Sequence, residues 1–212
     1  LTKTILKLLD LKGRNGSDLV AWRSMVLKQK NAKKKIKIGV IGKYFKTGDF
    51  VLSDVYISII ESLKHAAGAL GVKAELVWLD STDYEEEPKK VHELDHFDGV
   101  IVPGGFGGRG VLGKLAAIKY VREHKIPYFG LCYGMQLAVV EYARSVLGWQ
   151  DAHTTEINPS STHPVVDIMP EQLAHLRNRN YGGSMRLGTY PAKLKKGSLA
   201  EVAYGKIKIK RR

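Results

Sequence analysis

The segment Pro127-Tyr-Phe-Gly-Leu-Cys132-Tyr-Gly-Met-Gln136 constrains the fold more than any other stretch of the chain. Apolar residues predict a strand over Ile126–Leu131. A helical pattern follows at once over Met135–Leu147, with Met135, Ala138, Val139 and Tyr142 on one face. Cys132 falls on the turn between them, flanked at minus two and plus two by Gly130 and Gly134. So tight a turn needs small residues at those two places. It lifts the central side chain above the strand ends, where α/β sheets present their ligands. It also sets the sulfur at a helix N-terminus, whose dipole favours thiolate. The competing reading is a buried structural cysteine, common for this residue type. The paired glycines and the position favour a nucleophile.

The surrounding pattern supplies the scaffold. Strands are predicted over Ile36–Ile41, Val72–Leu79 and Gly99–Val102, and helices over Asp54–Leu70 and Leu115–Glu123. Asp80–His96 reads as acidic and loop-rich with a short helix, and short β segments are expected near Val165–Ile168 and Arg186–Lys193. Alternating strands and helices imply an α/β fold: a mostly parallel sheet with helices on both faces. Residues 1–35 read as a helical appendage interrupted by Gly13–Gly16, and residues 36–212 as the catalytic domain.

Composition narrows the function classes. No apolar run approaches the roughly 20 residues that cross a bilayer, so no membrane association is expected. One cysteine in 212 residues excludes an internal disulfide and a thiolate-rich zinc site, so no metal is expected. A lone reduced thiol suits the cytoplasm. The net charge of +13 points first to nucleic acid. Its distribution argues against that. Residues 1–37 carry 11 Lys/Arg against 2 Asp/Glu, residues 193–212 carry 8 against 1, and the middle is net −3. The basic ends read as solvated or interdomain surfaces, and a basic binding module is the least favoured reading.

A second motif follows the strand Gly99–Val102: Pro103-Gly-Gly105-Phe-Gly107-Gly-Arg109-Gly110. Adjacent parallel strands would bring this loop beside the elbow. Glycine lets backbone N–H groups approach a ligand, and two of them stabilise a tetrahedral oxyanion. Gly105 and Tyr133, the residue after the cysteine, are the expected donors. The loop lacks the Lys-Ser/Thr of a phosphate-binding loop, and its spacing is not a dinucleotide fingerprint.

On these residues the chain resembles the class I glutamine amidotransferases, and more narrowly the amidotransferase domain of the CTP synthase family. The matching stretches are Gly42-Lys-Tyr44, Val102–Gly107, Ile126-Pro-Tyr128, Gly130–Ala138, Thr155-Glu-Ile-Asn-Pro159, His163-Pro-Val165, Met169-Pro-Glu-Gln172 and Gly182–Gly188. The resemblance implies a flavodoxin-like domain that hydrolyses glutamine to glutamate and ammonia. The ammonia would pass to a synthetase domain, a ligase of pyrimidine biosynthesis that aminates UTP to CTP with ATP and Mg. GTP would be the allosteric activator, and the full enzyme a homotetramer. No cofactor is implied in the glutaminase domain itself. By matched position Cys132 is the nucleophile; Gly105, Tyr133, Gly134, Met135 and Gln136 line the glutamine site; and Glu156 holds the substrate's ammonium. Residues 1–35 resemble the linker to the synthetase domain.

Three departures accompany the resemblance. Tyr133 stands where the CTP synthases usually carry leucine. The loop Phe45–Ser53 is longer than in many members. The family's arginine-rich strand and catalytic His-x-Glu pair would follow Tyr204-Gly205, and neither is in the sequence, so the domain reads as C-terminally incomplete. His153 and His163 match neither, and read as loop histidines that cap or pack. The elbow alone also admits a γ-glutamyl hydrolase or a peptidase on the same scaffold.

Overall fold

The computed structural model describes residues 2–12, 19–43, 46–47, 50–51, 56–105, 107–170, 172–173 and 190–211. They form two compact units, Leu1–Asp167 and Ile168–Arg212.

The first unit is built on a four-stranded parallel sheet of β1 (Lys35–Gly42), β4 (Lys73–Asp80), β5 (Gly99–Val102) and β6 (Tyr128–Gly130), in the order β4-β1-β5-β6. Between β1 and β4 lie two antiparallel two-residue strands, β2 (Lys46–Thr47) and β3 (Phe50–Val51). The two central strands become apolar on both faces toward their C-terminal ends, where helices cover both. Val40 and Trp78 face α3 (Ile57–Leu70), whose Ile59 packs on them. Their neighbours Ile41 and Leu79 face the other way, into the larger core. There Val100 and Val102 meet Leu115 and Ile118 of α5 (Val111–Glu123) and Leu137 and Val140 of α6 (Tyr133–Ser145). Complete burial of one such side chain contributes about 1.5–3 kcal/mol. A mostly parallel sheet with helices on both faces is therefore the observed architecture.

Several boundaries differ from the sequence-based expectation for physical reasons. Helix α5 starts four residues early, directly after Gly110, whose φ of 71° sets a left-handed turn. The Glu85 carboxylate accepts from the first-turn amides of Leu112 and Gly113 at 2.9 and 3.3 Å, which satisfies donors the helix cannot. Residues 81–96 are more ordered than a loop. Helix α4 (Ser81–Glu86) is capped by Asp80, which accepts from the Thr82 amide at 2.9 Å. A 3-10 turn follows over Pro88–His96, burying Val91 and Leu94 three residues apart. Helix α3 begins at Ile57; the expected start at Asp54 lies outside the described residues.

Two helices precede the sheet, α1 (Thr2–Leu8) and α2 (Val20–Asn31). The glycine interruption between them lies outside the described residues. Helix α2 packs on α3: a Cβ on Gly68 would lie 3.2 Å from Met25 Cγ, and Trp22 meets His65 edge to face at 5.4 Å. After α6 the short parallel strands β7 (His153–Thr154) and β8 (Pro164–Val166) complete the unit.

The second unit holds an antiparallel pair, β9 (Tyr190–Lys193) and β10 (Lys208–Arg211), around a helix over Leu199–Tyr204. Ser198 caps that helix by accepting from the Glu201 amide at 3.2 Å, and Gly205 ends it at φ 62°. The expected β start at Arg186, the stretch Gly182–Gly188 and most of the loop Phe45–Ser53 lie outside the described residues.

Candidate active site

Strands β5 and β6 end level, with Val102 opposite Gly130. The two segments leaving their C-terminal ends, the glycine loop and the elbow, are therefore neighbours. The Leu131 amide donates to the Val102 carbonyl at 2.9 Å, continuing the pairing up to Cys132. Cys132 then takes φ 51° and ψ −108°, a conformation that L residues rarely adopt, and helix α6 starts at the next residue. Such strain persists only where the surroundings over-determine it.

The flanking glycines supply that constraint. A Cβ on Gly134 would lie 2.0 Å from the Val102 carbonyl oxygen, and one on Gly130 would lie 2.6 Å from the Met135 nitrogen. Neither distance is possible for real atoms. Cys132 is consequently presented on an exposed turn, with its Sγ 3.7 Å from the position of a Cβ on Gly104. The Gly134 amide donates to Leu131 and the Gln136 amide to Cys132, at 3.0 and 3.1 Å. Tyr128 closes the turn from below, its hydroxyl donating to the Gly134 carbonyl at 2.8 Å. Burial pushes the Tyr128 phenol above its ordinary pKa, so it remains a donor.

Glu156, in the turn between β7 and β8, accepts from the Gly107 amide at 3.0 Å. The Tyr133 hydroxyl donates to the Gly107 carbonyl at 3.2 Å. Burial, reinforced by the Glu156 charge, pushes that phenol up to about 12. Thus Glu156, the glycine loop and Tyr133 are tied together beside Cys132. Gly105 and Gly134 lie within the same assembly, and Gln136 is half-buried in the first turn of α6. Met135 is placed differently: its backbone nitrogen sits in the elbow, but its side chain lines an apolar groove with Ala138, Val139 and Tyr142. Phe106 lies outside the described residues.

The two histidines noted in the sequence serve their own loop. His153 Nδ1 accepts from the Thr154 amide at 2.9 Å, and burial, then the nearby Arg144 charge, lowers its pKa. His163 pairs with Asp151 at 2.6 Å and stacks on Trp149.

Sequence reasoning missed two lysines. Lys43, at the end of β1, and Lys114, on the inner face of α5, are both buried under the glycine loop. The Lys43 Cε and the Lys114 Nζ lie 3.8 and 3.9 Å from the position of a Cβ on Gly105. The signal for Lys114 was its place three residues after Val111 and four before Ile118, on a face otherwise apolar. Buried Glu141 of α6 was missed in the same way. It forms a two-point fork with Arg122 of α5, both bonds 2.9 Å.

Comparisons with known proteins place the chain in a family. The family model described as "Glutamine amidotransferase class-I" matches residues 51–205. The CTP synthase of Pyrococcus abyssi is 48% identical over 207 residues, 97% of this chain and 36% of its own length. That of Methanococcoides burtonii is 47% identical over 184 residues, 87% of this chain and 33% of its own. This chain thus spans about a third of the curated relatives it matches. Among solved structures, the glutaminase domain of Trypanosoma brucei CTPS with bound acivicin aligns with a TM-score of 0.71 at 37% identity. That alignment covers 84% of this chain and 65% of the other. The cysteine elbow, the loop tied to it by Glu156 and Tyr133, and a family match across most of the sequence lead to one assignment: this chain belongs to the class-I glutamine amidotransferases.

Proposed function

We propose that the chain is the glutaminase portion of a CTP synthase. The observation that carries this reading is Cys132, held at φ 51° at the start of α6 and facing the glycine loop. As thiolate it attacks the side-chain carbonyl of glutamine. The new C–S bond pushes the carbonyl electrons onto oxygen, and the amides of Gly105 and Tyr133 stabilise that charge. Collapse breaks the C–N bond, the leaving nitrogen takes a proton from water to depart as ammonia, and a thioester remains. Water then attacks the thioester and releases glutamate, returning the thiol.

The remaining residues orient the substrate. The Glu156 carboxylate takes the α-ammonium, for which a charge-assisted hydrogen bond suits both partners. Gly134, Met135 and Gln136 contribute backbone and first-turn contacts along the side-chain amide. Ammonia passes to a synthetase domain that uses ATP and Mg to aminate UTP, with GTP as activator, in a cytoplasmic homotetramer. This wider reading rests on the family resemblance and on the names of the relatives.

A diazo-ketone analogue of glutamine tests the proposal. It should add one label per chain, at Cys132, and glutamine should protect. Labelling elsewhere, or labelling that glutamine does not slow, overturns the glutaminase reading. Protection by γ-glutamyl peptides but not by glutamine would instead favour a γ-glutamyl hydrolase.

A further inference from the structure

Lys114 is wholly buried, yet its ammonium has no hydrogen-bond partner among the described residues. An ammonium in that position is costly unless its charge is used. Its surroundings indicate the use. The Nζ lies 5.5 Å over the Tyr133 ring and 3.9 Å from the Gly105 Cβ position. The preceding residue, Gly104, makes the corresponding approach to Cys132, 3.4 Å from its Cβ and 3.7 Å from its Sγ. Gly105 thus faces the buried cation and Gly104 the nucleophile, so one loop is packed against both.

We propose that Lys114 is a positioning residue for the glutaminase site, its positive charge beneath the glycine loop favouring thiolate at Cys132 and negative charge on the adjacent oxyanion. The inference rests on the glutaminase reading of that site and adds a group to it. The other charged groups nearby are Lys43 at the end of β1, Asp80 at the end of β4, Glu85 of α4 against the first turn of α5, and Glu156 across Tyr133. Burial, and then repulsion from Lys43, holds the Lys114 pKa down to about 8, with Asp80 opposing. The ammonium is thus mostly charged at neutral pH.

The test is the pH dependence of Cys132 alkylation by iodoacetamide, a neutral reagent that does not need the glutamine site. In Lys114→Met the midpoint should move to higher pH, with about a tenfold loss of alkylation rate below it. A purely structural role would change the limiting rate and leave the midpoint in place. If Lys114→Met does not fold, Lys114→Gln replaces the charge with a neutral polar end and should move the midpoint in the same direction. An unchanged midpoint in the folded variant overturns the proposal. Failure of the diazo-ketone to label the unmodified chain would instead overturn the glutaminase reading, whatever the midpoints do.

Discussion

Glu156 accepts a hydrogen bond from the Gly107 amide at 3.0 Å across 49 positions of sequence. The same carboxylate is proposed to receive the ammonium of glutamine, so it both shapes the glycine loop and reads the substrate. Glu156→Gln keeps the shape and an acceptor oxygen but removes the charge. Hydrogen bonds to charged groups are worth about 1.5–3 kcal/mol. The glutamine concentration that half-protects Cys132 from the diazo-ketone should therefore rise about ten- to a hundredfold. Alkylation by iodoacetamide, which carries no ammonium, should be little changed.

The elbow should tolerate no side chain at Gly134. A Cβ there would lie 2.0 Å from the Val102 carbonyl oxygen, in backbone that cannot yield without separating α6 from β5. Gly134→Ala should cost about 3 kcal/mol or more. The comparison is Gly148, where φ is 78° and nothing lies within 4 Å of a Cβ. Gly148→Ala should cost only the left-handed backbone penalty, about 1–2 kcal/mol. Urea unfolding of the two variants measures the difference directly.

The Arg122–Glu141 fork joins α5 to α6 and so fixes the helix that carries the elbow. Glu141 is 3% exposed while Arg122 is 32% exposed, which makes the two ends unequal. Arg122→Ala leaves a buried carboxylate without its counter-charge and should cost about 2–3 kcal/mol, discounted for the exposed arginine. Arg122→Met combined with Glu141→Leu removes both charges and should recover most of that loss. Thermal melts of the single and double variants at one pH give the comparison.

These relationships were unequally legible in the sequence. The strand Gly99–Val102 was readable to the residue, because three consecutive apolar side chains, buried on both faces, end at Pro-Gly. The elbow was readable because its local rules are strict: two glycines, one cysteine, a strand and a helix. The start of α5 was not, because the residue that caps it, Glu85, lies in a different helix. Lys114 was invisible for a similar reason. A lysine on a helix ordinarily reaches solvent, and only the loop folded over it reveals that it does not. Glu156 was reached through the family resemblance alone, since its partner lies on a distant loop.

Asp151 makes the loop between β7 and β8 sensitive to acid. Its carboxylate accepts from the Thr162 hydroxyl at 2.6 Å and amide at 2.7 Å, and pairs with His163 at 2.6 Å. Hydrogen bonds from Thr162 first, then from His163, hold the Asp151 carboxyl well below its ordinary 3.8. A carboxyl depressed in the folded state contributes stability above its unfolded pKa and loses it as pH falls through the folded value. The contribution is thus fully present at neutral pH and fades only below about pH 4. Asp151→Asn should lower the melting temperature at pH 7, and the gap from the unmodified chain should close as the pH is lowered from 4 toward 2. A gap that stayed constant across that range would mean the carboxylate's charge contributes nothing there. His163→Ala removes one of these three donors and should narrow the acid-sensitive gap without abolishing it, because both Thr162 bonds remain.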